Sequence, residues 1–132
     1  MRAFFFVIAL LLVGLAYANE SSLMPVDVYG LSKSENPPLI LDVRSVEEFD
    51  AGHIPGALNI PHDQVASRLA EIEGHTAIIL YCRSGRRADL VAPTISQTGA
   101  DVRLMEGSFI AWQAAGLPIA VSDQATKSES KK

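Results

Sequence analysis

Apolar residues in this chain fall into two kinds of run. Short continuous ones stand at 39–43 (LILDV), 57–60 (ALNI), 77–82 (AIILYC) and 102–105 (VRLM). Continuous rather than alternating apolar strands suit burial on both faces, hence a parallel sheet with helices on each side. Between these runs the apolar positions space out. Val65, Leu69 and Ile72 recur at i, i+4 and i+7, a buried face for a helix over 63–73. Ser45-Val46-Glu47-Glu48 reads as a capping box that opens a short helix, which Gly52 can close. A further helix is expected over 86–97, with Gly99 just past its end, although Pro93 inside it should kink or shorten it. A last short helix over 108–115 stops at Gly116 and Pro118. Strands and helices alternate, so the expected class is α/β, built from right-handed βαβ units.

The ends of the chain break this pattern. Met1-Arg2 is a positive start, residues 3–13 are almost wholly apolar, and Ala16-Tyr17-Ala18 closes the run in an A-x-A pattern. That layout reads as a secretory signal peptide over residues 1–18, with cleavage expected before Asn19. The run is short for a spanning helix, which needs roughly 20 residues, so no stable membrane anchor is expected after cleavage; a retained anchor is the alternative. Residues 19–23 are expected to be loose. Residues 123–132 (DQATKSESKK) lack apolar periodicity and read as a disordered polar tail. One domain over 24–122 is left, and 132 residues suffice for one domain and not two. The net charge is −4, and removing Arg2 with the leader makes it −4 − 1 = −5. An acidic chain with scattered basic residues gives no support to nucleic-acid binding. The expected location is outside the cytoplasm, periplasmic if the host is a Gram-negative bacterium.

Export changes how Cys82, the only cysteine, reads. A single cysteine cannot bridge internally, so it is buried and inert, pairs with another molecule, or is a reactive thiol. It lies where an expected strand ends, and Arg83-Ser84-Gly85 runs from it into a helix start. Free N–H groups and the helix dipole favour negative charge there. Gly85 lets successive N–H groups converge, and Arg83, Arg86 and Arg87 add formal positive charge. These effects favour a thiolate and make a cradle for a small oxyanion. The alternative is a core cysteine beside a solvated arginine surface.

Three stretches carry a family resemblance. LDVRSVEEFDAGHIPGALNIP (41–61), YCRSGRRA (81–88) and LMEGSFIAWQAAGLP (104–118) resemble, in order and spacing, the two signatures and the active loop of the rhodanese-like sulfurtransferases, especially their small exported members. The resemblance implies a three-layer α/β/α domain around a central, mainly parallel five-stranded sheet. It implies that Cys82 takes a sulfane sulfur from thiosulfate or a similar donor as a persulfide, then passes it to cyanide or a thiol. It places Arg83, Ser84, Gly85, Arg86 and Arg87 around donor and persulfide, with Asp42 and Arg44 in support. No metal or organic cofactor is implied. The partners are a small-molecule sulfur donor and acceptor, with a protein acceptor as an added option.

Other functions share parts of this pattern. Phosphatases and arsenate reductases of this fold use a C-x5-R loop, but position 88 is Ala88, and the arginines fall at C-x3-R and C-x4-R. Thioredoxin-type chemistry wants C-x-x-C, and position 85 is glycine. A module that accepts sulfur or senses a redox state without fast turnover stays open. His53, in GHIPGA, reads as a turn residue, and neither His62 nor His75 has a companion at metal-ligand spacing. Phe109 and Trp112 read as core. Glu106 departs from the family's usual Gly-Gly before the last helix, and Pro93 is a second departure; both bear on catalytic efficiency.

Overall fold

The computed structural model describes residues 22–122. The expected signal peptide (1–18) and polar tail (123–132) lie outside the described residues.

Five strands form one sheet: β1 (Ser22–Leu23), β2 (Leu39–Asp42), β3 (Leu58–Asn59), β4 (Ala77–Tyr81) and β5 (Asp101–Met105). The spatial order is β1-β5-β4-β2-β3, and every pairing is parallel. The helices are α1 (Pro25–Ser32), α2 (Val46–Ala51), α3 (Arg86–Ser96) and α4 (Ser108–Ala114). The expected α/β class and five-stranded sheet are borne out.

Successive side chains of a strand point to opposite faces, and β2 and β4 show it. Leu41, Ile78 and Leu80 join an apolar cluster with Val65, Ile72, Ala88, Val91 and Ile95, so α3 and the 62–71 region cover one face. Ile40, Ile79 and Tyr81 join Val28, Phe109 and Trp112, so α1 and α4 cover the other. Both faces of the central strands are therefore covered, as their mostly continuous apolar runs require.

Three local expectations change. Residues 63–73 do not form an α-helix. They fold as two 3₁₀ segments, His62–Ser67 and Leu69–Glu71, parted at Arg68, whose φ of −121° leaves the helical region. Val65 and Ile72 stay buried, because a tighter turn with an interruption can still present both to the sheet. Ser22 and Leu23, expected to be loose, pair with Leu104 and Met105. A two-residue strand has no periodicity to read, and the free edge of β5 recruits it. Of the two effects expected of Pro93, shortening does not occur: α3 runs through it to Ser96, with Gln97 as cap.

Leu41 has no exposed surface and sits in β2 between its neighbours β3 and β4. Leu41→Ala is expected to cost about 2–5 kcal/mol, read by urea unfolding as a lower midpoint at unchanged slope.

Candidate active site

Because β4 ends at Tyr81 and α3 begins at Arg86, residues 82–85 must turn the chain from the sheet's carboxyl end into a helix start. Ligand sites in open parallel sheets gather at such ends. Gly85 makes the turn as the helix N-cap at φ +116°, a conformation that side chains rarely adopt. Its N–H donates to Cys82 Sγ at 3.0 Å. Cys82 itself is only 1% exposed and belongs to the α3-side apolar cluster. Burial pushes the Cys82 thiol up, but N–H groups of Ala88, Gly85, Ser84 and Arg87 outweigh it and hold the group below its ordinary value. A core cysteine would lack that set of donors. The arrangement can stabilise a thiolate, or a slender anion bonded to one.

Helix α4 grips the same loop from the other face of the sheet. Phe109 N–H donates to Cys82 O at 3.0 Å and Ile110 N–H to Arg83 O at 3.1 Å. The loop carbonyls thereby satisfy N–H groups that a helix start leaves without intrahelical partners. Cys82 N–H donates to Ser108 Oγ at 3.3 Å. Ser108 is nearly silent in the sequence, its only local signal being its place at the start of the last helix. The left-handed residues at the start of α4 are its N-cap Gly107 (φ +69°) and its first residue Ser108 (φ +52°). Exposed Glu106 precedes that turn and donates its N–H to Leu23 O.

The three arginines divide. Arg87 binds Glu48 through two hydrogen bonds, at 2.7 and 3.0 Å. Arg83 and Arg86 are exposed and form no ion pair among the described residues. The free positive charge is therefore smaller than three adjacent arginines suggest. Glu48 also closes the capping box of α2, accepting the Ser45 N–H. Arg87, helped by that N–H, lowers the Glu48 carboxyl to about 2 against its partial burial.

Asp42 and Arg44 form a buried pair, 0% and 3% exposed. Arg44 Nε and Nη2 reach the carboxylate at 2.6–3.1 Å, and Nη2 also donates to Gly52 O at 2.7 Å. The guanidinium lies 4.1 Å from the Phe109 ring centre. Asn59 Nδ2 donates to the carbonyls of both Asp42 and Arg44. The pair thus braces β2, the end of α2, β3 and α4 beside the loop. Burial, with Asp42 nearby, keeps the Tyr81 hydroxyl protonated, and that oxygen accepts the Ile54 N–H at 3.1 Å.

His53 is stacked on Phe49, its Nδ1 lies 2.7 Å from Phe49 O, and its backbone pairs both ways with Ala120. Trp112 is fully buried and donates Nε1–H to Pro118 O. Ala88 is 1% exposed within the apolar cluster, so the position where a C-x5-R loop needs arginine faces the core. A cleft of about 350 Å³ beside the loop is lined by Arg44, Glu48, Arg83, Phe109, Gln113 and Ile119. A cleft lined by Leu31, Asn36 and Arg103 lies at the amino ends of the strands, away from Cys82.

The family model described as "Rhodanese-like domain" matches residues 24–115. A sulfurtransferase of Allochromatium vinosum is 37% identical over 82 residues, 61% of this chain and 77% of that one. The thiosulfate sulfurtransferase GlpE of Pseudoalteromonas translucida is 35% identical over 78 residues, 58% of this chain and 74% of that one. An HTH-type transcriptional regulator of Mycobacterium tuberculosis is 40% identical over 82 residues, but the match spans only 36% of the regulator's length. Among solved structures, a thiosulfate sulfurtransferase from Pseudomonas aeruginosa superposes with a TM-score of 0.72 at 24% identity, covering 80% of this chain and 20% of that one. That likeness bears on the fold.

The Glu48–Arg87 pair has a pH signature. The Glu48 carboxyl stands near 2 when folded, against an ordinary value of 4.5. Its contribution is fully present above about 4.5 and is lost as pH falls toward 2. Glu48→Gln is expected to lower stability at neutral pH by up to about 1 kcal/mol, since the pair is partly exposed. The gap to wild type should shrink when denaturant unfolding is repeated near pH 3.

Proposed function

Since the chain belongs to the rhodanese-like domain family, we propose that it is a sulfurtransferase that carries sulfane sulfur as a persulfide on Cys82, with thiosulfate or a similar donor. What carries this reading is the convergence of backbone N–H groups on one thiol, including Gly85 at 3.0 Å. The thiolate attacks the outer sulfur of thiosulfate, the sulfur–sulfur bond breaks, and sulfite leaves with the bonding pair. A persulfide anion stays on Cys82, its charge facing the same N–H groups. An acceptor, cyanide or a thiolate, then attacks the outer sulfur and returns the Cys82 thiolate. This is nucleophilic catalysis in two half-reactions, so ping-pong kinetics are expected.

The loop amides of 83–87 hold donor and persulfide, and Arg83 and Arg86 attract the anionic donor. Arg87 acts through its bond to Glu48, which fastens the start of α3 to α2. Asp42 and Arg44 support the loop from below. The low exposure of Cys82 favours a slender donor with a protruding terminal sulfur. The apolar surroundings of Ala88 weigh against a phosphatase or arsenate reductase, whose loop needs a cation there.

The same burial supports a second reading, a carrier that hands sulfur to a protein partner with little turnover on small molecules. One paired measurement separates the two. Incubation with thiosulfate, without reducing agent, is expected to add the mass of one sulfur atom, and Cys82→Ser to abolish the gain. Absence of the gain in wild type would sink both readings. Loading with sustained thiosulfate-to-cyanide turnover identifies the enzyme, and loading without turnover identifies the carrier.

A further inference from the structure

Ser108 is the sole non-glycine residue with positive φ among the described residues, at +52°, directly after Gly107 at +69°. A β-carbon in that region crowds the following carbonyl, and glycine is the low-strain occupant. Strain of this kind persists where surrounding structure over-determines the backbone, and it clusters at functional sites. Serine offers one thing glycine cannot, a hydroxyl, and here that hydroxyl is placed. Ser108 is 1% exposed, and its Oγ accepts the backbone N–H of Cys82 at 3.3 Å. The same oxygen lies 4.0 Å from the point where a β-carbon on Gly85 would stand. Gly85 is the residue whose N–H donates to Sγ. One buried oxygen therefore bonds the backbone of the thiol residue and packs beside a donor of the thiol cradle.

The start of α4 makes two more bonds to this loop, from Phe109 N–H to Cys82 O and from Ile110 N–H to Arg83 O. Those are backbone bonds, open to any residue at 108. The bond from Cys82 N–H needs an acceptor on the side chain of 108. Without it that buried N–H loses its partner, and the loop is left with the two backbone bonds to α4.

We propose that Ser108 is a positioning residue for the Cys82 thiolate: its hydroxyl holds the Cys82 backbone so that the loop N–H groups converge on Sγ. This rests on the reading of Cys82 as the sulfur-carrying nucleophile. The charges around the thiol are left in place by a change at 108. They are Arg87 with its partner Glu48, Asp42 with Arg44, and the exposed Arg83 and Arg86. A change in thiol acidity on substituting Ser108 thus reports the loop.

The test is ultraviolet titration of the thiolate in purified protein, which does not need a reagent to reach the buried sulfur, with Cys82→Ser as the blank. Ser108→Gly removes the hydroxyl and relieves the backbone; Ser108→Ala removes the hydroxyl and keeps the strain. Both are expected to raise the titration midpoint by about half a unit or more, which is about threefold less thiolate at a pH below the midpoint. In thermal unfolding the two should part, with Ser108→Gly the more stable. A midpoint unchanged in either variant overturns the proposal, as does a shift confined to the less stable one, since a purely structural role would follow stability. Sulfur loading, weighed separately, keeps the outcomes distinct. A wild type that takes up no sulfur removes the proposed function, whereas unshifted midpoints in a wild type that loads remove the role of Ser108.

Discussion

Backbone N–H groups at the start of a helix need acceptors, and around Cys82 that need organises the structure. The first turn of α3 directs its N–H groups at Cys82 Sγ. The first turn of α4 directs its own at the carbonyls of Cys82 and Arg83. The N–H of Cys82 goes to Ser108 Oγ. Two helices on opposite faces of the sheet thus meet at one loop, and each obtains there what helix ends otherwise draw from water. A thiolate is the natural complement to such donors, because the charged form accepts their bonds more strongly than the neutral thiol does.

Formal charges play a different part. The buried Asp42–Arg44 pair contacts α2 through Gly52, α4 through Phe109, and β3 through Asn59. Glu48 joins the cap of α2 to Arg87 at the start of α3. Most of the ionic hardware close to the thiol therefore fixes geometry. Paired charges of this kind are weak sources of net stability but costly to break singly, which suits a frame whose geometry must hold. Arg83 and Arg86 are left facing solvent, where they can attract an anion without distorting the loop.

Much of this was legible along the chain because it follows from periodicity and local chemistry. The mostly apolar runs at 39–43 and 77–82 announced strands buried on both faces. The capping box at Ser45 and Glu48 formed as spelled. Cys82, Gly85 and the arginines stood out by spacing alone. Other features were silent for physical reasons. A two-residue edge strand at Ser22 has too few positions to show a period. The 62–71 region kept the buried positions of a helix but not its hydrogen bonding, and apolar spacing does not distinguish the two. Glu48 looked like a capping residue and nothing more, since its bond to Arg87 spans 39 positions of sequence.

By itself the sequence determined that one α/β domain presents a single thiol at a strand-to-helix turn ringed with glycine and arginine, since turn chemistry, capping and apolar periodicity act over a few residues. It also determined that the loop does not read C-x5-R, because position 88 is alanine. Tertiary structure alone decided which arginines stay free, that Ser108 rather than Glu106 occupies the strained turn, and that YCRSGRRA is held from beneath by α4. Those outcomes depend on residues distant in sequence being brought within hydrogen-bond reach, which only the packing of two helices against the sheet can do.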